Sequence, residues 1–137
     1  MSTTGRHPFR VAAEAHDADA LVATLACDVV LHSPVTFHPY VGREAVGGVL
    51  RIVAEGFEDW RCISELHDPT GTIAFVFRAR VGQRQLEGVD LLRFGADGLV
   101  ADLTVAIRPL SGLIALAQAI GPGVAAAGLK PSGGTPV

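Results

Sequence analysis

The sequence predicts an α+β domain in which helices pack on one face of an antiparallel meander. Three observations carry this. Apolar residues recur at helical spacing before Phe57 and give way to strand patterns after it. From Ile73 to Val81, apolar positions alternate as they do in a half-buried strand. Two glycine turns, Gly82-Gln83 and Gly95 to Gly98, divide the second half into consecutive hairpin strands.

The elements follow in order. Residues 6–15 and 18–26 read as two helical pieces broken at His16-Asp17, with Asp17 as the N-cap of the second. Val29 to Leu31 is a short β-branched strand. Gly42 ends a turn, and Val46, Val49, Leu50, Val53 and Phe57 then form one helical stripe. Gly47-Gly48 in its middle costs helix stability, about 1 kcal/mol per glycine; a close approach of another backbone would explain the pair. Strands are expected over Asp59–His67, Ile73–Val81, Arg84–Phe94 and Leu99–Arg108, the last stopped by Pro109. Leu110–Ile120 reads as a short apolar helix. Residues 1–120 thus form one domain, and the Gly, Pro and Ala-rich residues 121–137 read as a flexible tail.

Composition narrows the function. The chain has 137 residues, 49% hydrophobic and 18% charged, with a formal net charge of −3. This is enough apolar material for a real core and argues against a nucleic-acid partner, since no basic run stands out. No segment is long and apolar enough to span a bilayer, and the first ten residues lack an apolar signal core. The reading expects a cytoplasmic protein with free thiols, Cys27 and Cys62, each behaving as a small buried hydrophobe. No histidine pair stands at metal-binding spacing, so neither metal nor cofactor is expected.

Alternation locates a site. On the Arg84–Phe94 strand the even positions Leu86, Gly88, Leu92 and Phe94 are apolar or small, and Asp90 stands among them. If that face meets the helices, desolvation raises the Asp90 pKa, and a neutral carboxylic acid can donate to a ligand carbonyl or a developing oxyanion. The alternative is an aspartate held by backbone amides or an arginine. Phe75, Phe77, Leu103 and Val105 would line the same side, and Trp60 would cap the pocket mouth or join the core. In the joint LHSPVTFHPYVGREAV, alternation turns His32 away from Ser33, whereas His38 and Tyr40 lie beyond Pro34, where parity is lost, and so could face the pocket.

The order and spacing of DADALVATLACDVVLHSPV, VGREAV and EGVDLLRFGADGLVADLTVAIRP resemble the NTF2-like superfamily, in particular its SnoaL-like proteins, over residues 6–109. The resemblance implies a cone of curved antiparallel sheet packed against N-terminal helices around an apolar pocket, and a homodimer. Within the superfamily the spacing is similar to ketosteroid isomerases. There an aspartate base stands in a D-P-V turn, and this chain has Ser33 at that position. A tyrosine that helps bind the oxyanion is replaced by Phe9. The acid of an I-D-x-x-R-F strand is retained as Asp90, in VDLLRF.

Three functions remain open on these residues. One is an isomerase, lyase or cyclase acting on a small apolar polyketide-, steroid- or terpenoid-like molecule. Asp90 would polarise an oxygen, and His38 or Tyr40 would replace the missing base. The second is a binding protein without chemistry, its ligand held by Phe9, Ser33, Val49 and Leu92 with Asp90 as polar anchor. The third is a dimeric interaction protein using the outward face with Val89 and Leu91.

Overall fold

A computed structural model describes residues 6–132. Two short helices, α1 (Pro8–Glu14) and α2 (Ala18–Ala23), precede strand β1 (Leu25–His32), the two-residue β2 (Tyr40–Val41) and helix α3 (Arg43–Gly56). Strands β3 (Glu58–His67), β4 (Ile73–Val81), β5 (Arg84–Phe94) and β6 (Val100–Arg108) follow, and helix α4 (Leu110–Ala126) closes the described chain. All six strands form one sheet in the order β2-β1-β6-β5-β4-β3, with β1 parallel to β6 and the other pairs antiparallel.

Local chemistry sets the helix starts. Pro8 occupies the first turn of α1, where a missing N–H costs nothing, and the Phe9 N–H donates to His7 Nδ1 at 3.0 Å. Asp17 caps α2 as expected, its Oδ1 accepting from the Ala20 N–H at 3.0 Å. Between the two helices His16 takes φ 54, a left-handed conformation that is uncommon for a residue with a side chain.

The meander matches the sequence reading closely. On β5 the buried residues are Leu86, Gly88, Asp90 and Leu92, and the register sets Asp90 between Phe75 of β4 and Val105 of β6. The first strand is longer than expected and begins at Leu25, because Leu25 and Ala26 are buried against the sheet and not on a helix face. A register shift between Leu25 and Val30 turns Cys27 outward. That corrects the expectation of a buried thiol: Cys27 is exposed, Cys62 is half-buried, and both are free.

The glycines of α3 receive side chains, where a backbone was expected. A Cβ on Gly47 would stand 3.2 Å from Val22, and one on Gly48 would stand 3.0 Å from Leu129. Those two hydrophobes dock where α3 has no side chain of its own.

The expected tail from residue 121 also needs correction, since α4 runs six residues past Ile120 despite Gly121, Pro122 and Gly123. Packing outweighs propensity here. Gly112, Leu116 and Ile120, spaced by four, are buried, and Gly123 leaves room for Ile52 of α3, 3.2 Å from where its Cβ would be. Gly128, at φ 69, then reverses the chain. Its N–H bonds to the Ala125 carbonyl and that of Leu129 to the Val124 carbonyl, which satisfies the helix end and seats Leu129 on the core. Residues 133–137 of the expected tail lie outside the described residues.

The core is divided. One cluster gathers Phe9, Val46, Phe75, Leu92 and Leu103; the other gathers Phe57, Trp60, Phe77, Leu86, Leu116 and Ile120. Between them the packing opens into a cavity.

Candidate functional site

The cavity measures about 90 Å³ and takes its wall from both clusters. Phe9 and Leu21 come from α1 and α2, Val49 and Val53 from α3, and Leu116 and Ile120 from α4. The floor is the inner sheet face, with Trp60, Phe77, Asp90, Leu103, Val105 and Ile107. Strand alternation puts these residues there, because each inward position on β4, β5 and β6 meets the helices.

Asp90 is the polar group of that floor. It is 7% exposed, and its carboxyl meets no protein donor or counter-charge among the described residues. Desolvation acts alone and its pKa is pushed up to about 7. Most buried carboxylates are tied to an arginine or to amides; this one stands between Phe75 and Val105 and borders the cavity. Near neutral pH the neutral acid and the carboxylate are therefore both populated, and the neutral form can donate a hydrogen bond in an oily space.

Ser33 and Phe9 line the same cavity. The Ser33 hydroxyl accepts from the Val35 N–H at 3.1 Å, and the Phe9 ring stacks on Phe75 with centroids 6.1 Å apart. Val49, Trp60, Phe77, Leu103 and Val105 also border the space. Phe75 and Leu92, expected in the lining, do not border it. Both are fully buried, because α1 lies over that end of the sheet and Phe9 covers Phe75.

The structure does not bring His38 or Tyr40 to Asp90. His38 is exposed on the loop after Val35, its ring edge-on to Phe37 at 5.8 Å. Tyr40 is 5% exposed, and β2 turns it into a second cavity between α4 and the β1–β2 segment. Burial pushes its phenol pKa up. His32 lies on the outer sheet face against Asp102, 3.1 Å from its Oδ2.

Two parts of the site escaped the sequence reading. His16 and Asp17 border the cavity at its exposed rim, yet as residues they show only a helix break. The buried stripe Gly112, Leu116, Ile120 was visible as an i, i+4 repeat, but nothing in it pointed to a cavity wall. Among the described residues, no three His, Cys, Asp or Glu side chains gather as a metal site requires, and no helix is long and apolar enough to cross a membrane.

The family model of the SnoaL-like domain matches residues 6–103. The chain belongs to the SnoaL-like family. Solved structures agree with this. A steroid delta-isomerase from Pseudomonas aeruginosa is 35% identical, with a TM-score of 0.81 over 87% of this chain and 88% of that one. A bacterial protein with a cystatin-like fold from Silicibacter pomeroyi is 28% identical, with a TM-score of 0.81 over 86% of this chain and 83% of the other. An NTF2-like protein of unknown function from Mesorhizobium loti, at 19% identity and TM-score 0.65 over 74% and 85% of the two chains, shares the fold. No curated protein sequence matches the chain. This SnoaL-like domain is thus an NTF2-like, cystatin-like α+β cone, as the resemblance implied. The wall of its cavity is almost wholly apolar.

Proposed function

We propose that the cavity binds a small apolar molecule through one carbonyl-like oxygen, and that neutral Asp90 donates the hydrogen bond to that oxygen. One observation carries the reading: a fully buried carboxyl with no protein partner, opening on a space of ligand size. An unpaired buried polar group is costly, and a ligand oxygen would offset that cost. With its pKa near 7, Asp90 can also pass its proton to the oxygen, which suits isomerase, lyase or cyclase chemistry on a polyketide-, steroid- or terpenoid-like compound. The likeness to a steroid delta-isomerase supports this reaction class.

A second reading, binding without turnover, is favoured by Ser33 and Phe9, which give the wall neither a carboxylate base nor a phenol donor. Cyclohex-3-enone separates the two, because its conversion to the conjugated 2-enone moves one proton from the α to the γ carbon and changes the ultraviolet absorbance. Conversion by the native protein, reduced about a hundredfold in Asp90→Asn, supports the enzyme. Binding seen by NMR without conversion supports the carrier. Equal conversion in both proteins removes Asp90 from the reaction, and absence of binding removes the cavity reading.

We also propose a homodimer through the outer faces of β4, β5 and β6. There Val76, Val89 and Ala106 form a cross-strand row with Val89 37% exposed. Arg78, Glu87 and Arg108 flank it with mixed charge on one side. A second copy related by a two-fold axis would bury this row against itself. Val89→Arg is expected to convert a dimer to a monomer in light scattering; a native monomer would exclude the interface.

A further inference from the structure

A second cavity, about 390 Å³, adjoins the first. Ser33, Val35, Val49 and Ile120 border both, so the two spaces meet at those side chains. The polar character of the two differs. The inner cavity has the carboxyl of Asp90 on its floor. The outer one has no acidic side chain in its wall; its polar groups are Ser33, Thr36, Tyr40 and Lys130. Lys130 is the only lysine in the chain, and no carboxylate among the described residues forms an ion pair with it. Tyr40 keeps its phenol protonated through burial and is a neutral donor. The end of α4 also borders this space, but its Gly123, Val124 and Ala125 carbonyls already accept from the chain that follows, so they do not oppose an anion there.

From this polarity we infer that the ligand is an amphipathic carboxylic acid that spans both cavities. Its oxygenated apolar end lies at Asp90, and its carboxylate lies outward at Lys130 and Tyr40. The inference rests on the Asp90 reading above and adds the ligand's second end. The orientation is fixed by solvation. A carboxylate on the inner floor would lose its water with no cation to face it. At the outer cavity it meets a cation and a phenol donor while staying partly hydrated. The small inner chamber admits only a compact head, and the larger outer one takes the rest of the chain.

The test is a series of oxo acids with a ketone near one end and a carboxylate at the other, 7-oxooctanoic to 11-oxododecanoic acid, each beside its methyl ester. Affinities are read by calorimetry on the native protein, Lys130→Met and Asp90→Leu. Lys130→Met keeps most of the apolar stem at an exposed position, so it leaves the fold intact. The expected result is that one chain length binds best as the acid, about fivefold more tightly than its ester. High salt should narrow that gap, and Lys130→Met should abolish it without changing the ester. If acid and ester bind alike and both weaken in Asp90→Leu, the Asp90 reading stands and the anionic end is overturned. If no member binds, or Asp90→Leu changes neither compound, the Asp90 reading falls and this inference falls with it.

Discussion

The ring of Phe77 occupies the space that a side chain on Gly88 would need. The two residues are paired across β4 and β5, and Phe77 Cε2 lies 2.6 Å from where a Gly88 Cβ would stand. The same ring stacks against Trp60 at 5.3 Å and meets Phe57 edge-on at 5.8 Å, and all three aromatics border the cavity. Gly88 thus sets the depth of the cavity floor. Gly88→Ala is expected to push the ring toward the cavity and cost about 1–3 kcal/mol in chemical denaturation, as overpacking does. Ligand affinity should fall more steeply than stability, because the displaced ring enters the binding space.

Asp90 should lower stability as the pH rises. Its folded pKa, about 7, lies above the ordinary value of 3.8, so the folded state holds a proton that the unfolded chain has released. Stability from this group is intact below about pH 4, declines between about pH 4 and 7, and stays lower above that range. The full difference amounts to roughly 4 kcal/mol. Asp90→Asn removes the titration. It should match the native protein near pH 4 and exceed it by about 2–4 kcal/mol at pH 8. Parallel melting curves at the two pH values check this, and an Asn variant that is less stable at pH 8 would mean that the carboxylate is paired in solution.

Ser33 offers the opposite experiment. It lines the cavity with Asp90, and the resemblance to ketosteroid isomerases sets it where those enzymes carry an aspartate base. A hydroxyl is a poor base near neutral pH; a carboxylate at the same place could take a proton from a ligand whose oxygen Asp90 holds. Ser33→Asp is therefore expected to raise the conversion of cyclohex-3-enone by a factor of about 100 or more. The double variant with Asp90→Asn should lose most of that gain, since base and donor act on one substrate.

The fold was legible where one physical signal dominated. Alternation on β4 and β5 showed which residues face inward, Asp90 among them. The Asp17 cap and the Gly82 turn were equally local. What failed depended on distant parts of the chain. Gly121-Pro122-Gly123 looks like a linker by propensity, yet Ile52 packs into the gap left by Gly123 and the helix continues. His38 and Tyr40 sit beyond Pro34, where strand parity stops, and only the three-dimensional path of the loop separates them from Asp90. His16 carries no periodic pattern, so its position at the cavity rim was invisible to any reading of spacing.

Ligand affinity should follow the protonation of Asp90. The proposed hydrogen bond needs the neutral acid, so the dissociation constant of a ketone ligand should stay flat well below pH 7. Above that pH it should weaken by about tenfold per unit, as the ligand competes with loss of the proton. The native profile alone does not assign the group. Asp90→Asn does: its amide still donates but no longer titrates, and its affinity should be independent of pH between about 5 and 9. If the variant keeps the native slope, the titrating group is not Asp90, and Asp90 does not contact the ligand oxygen. Calorimetry across that range with both proteins decides between them.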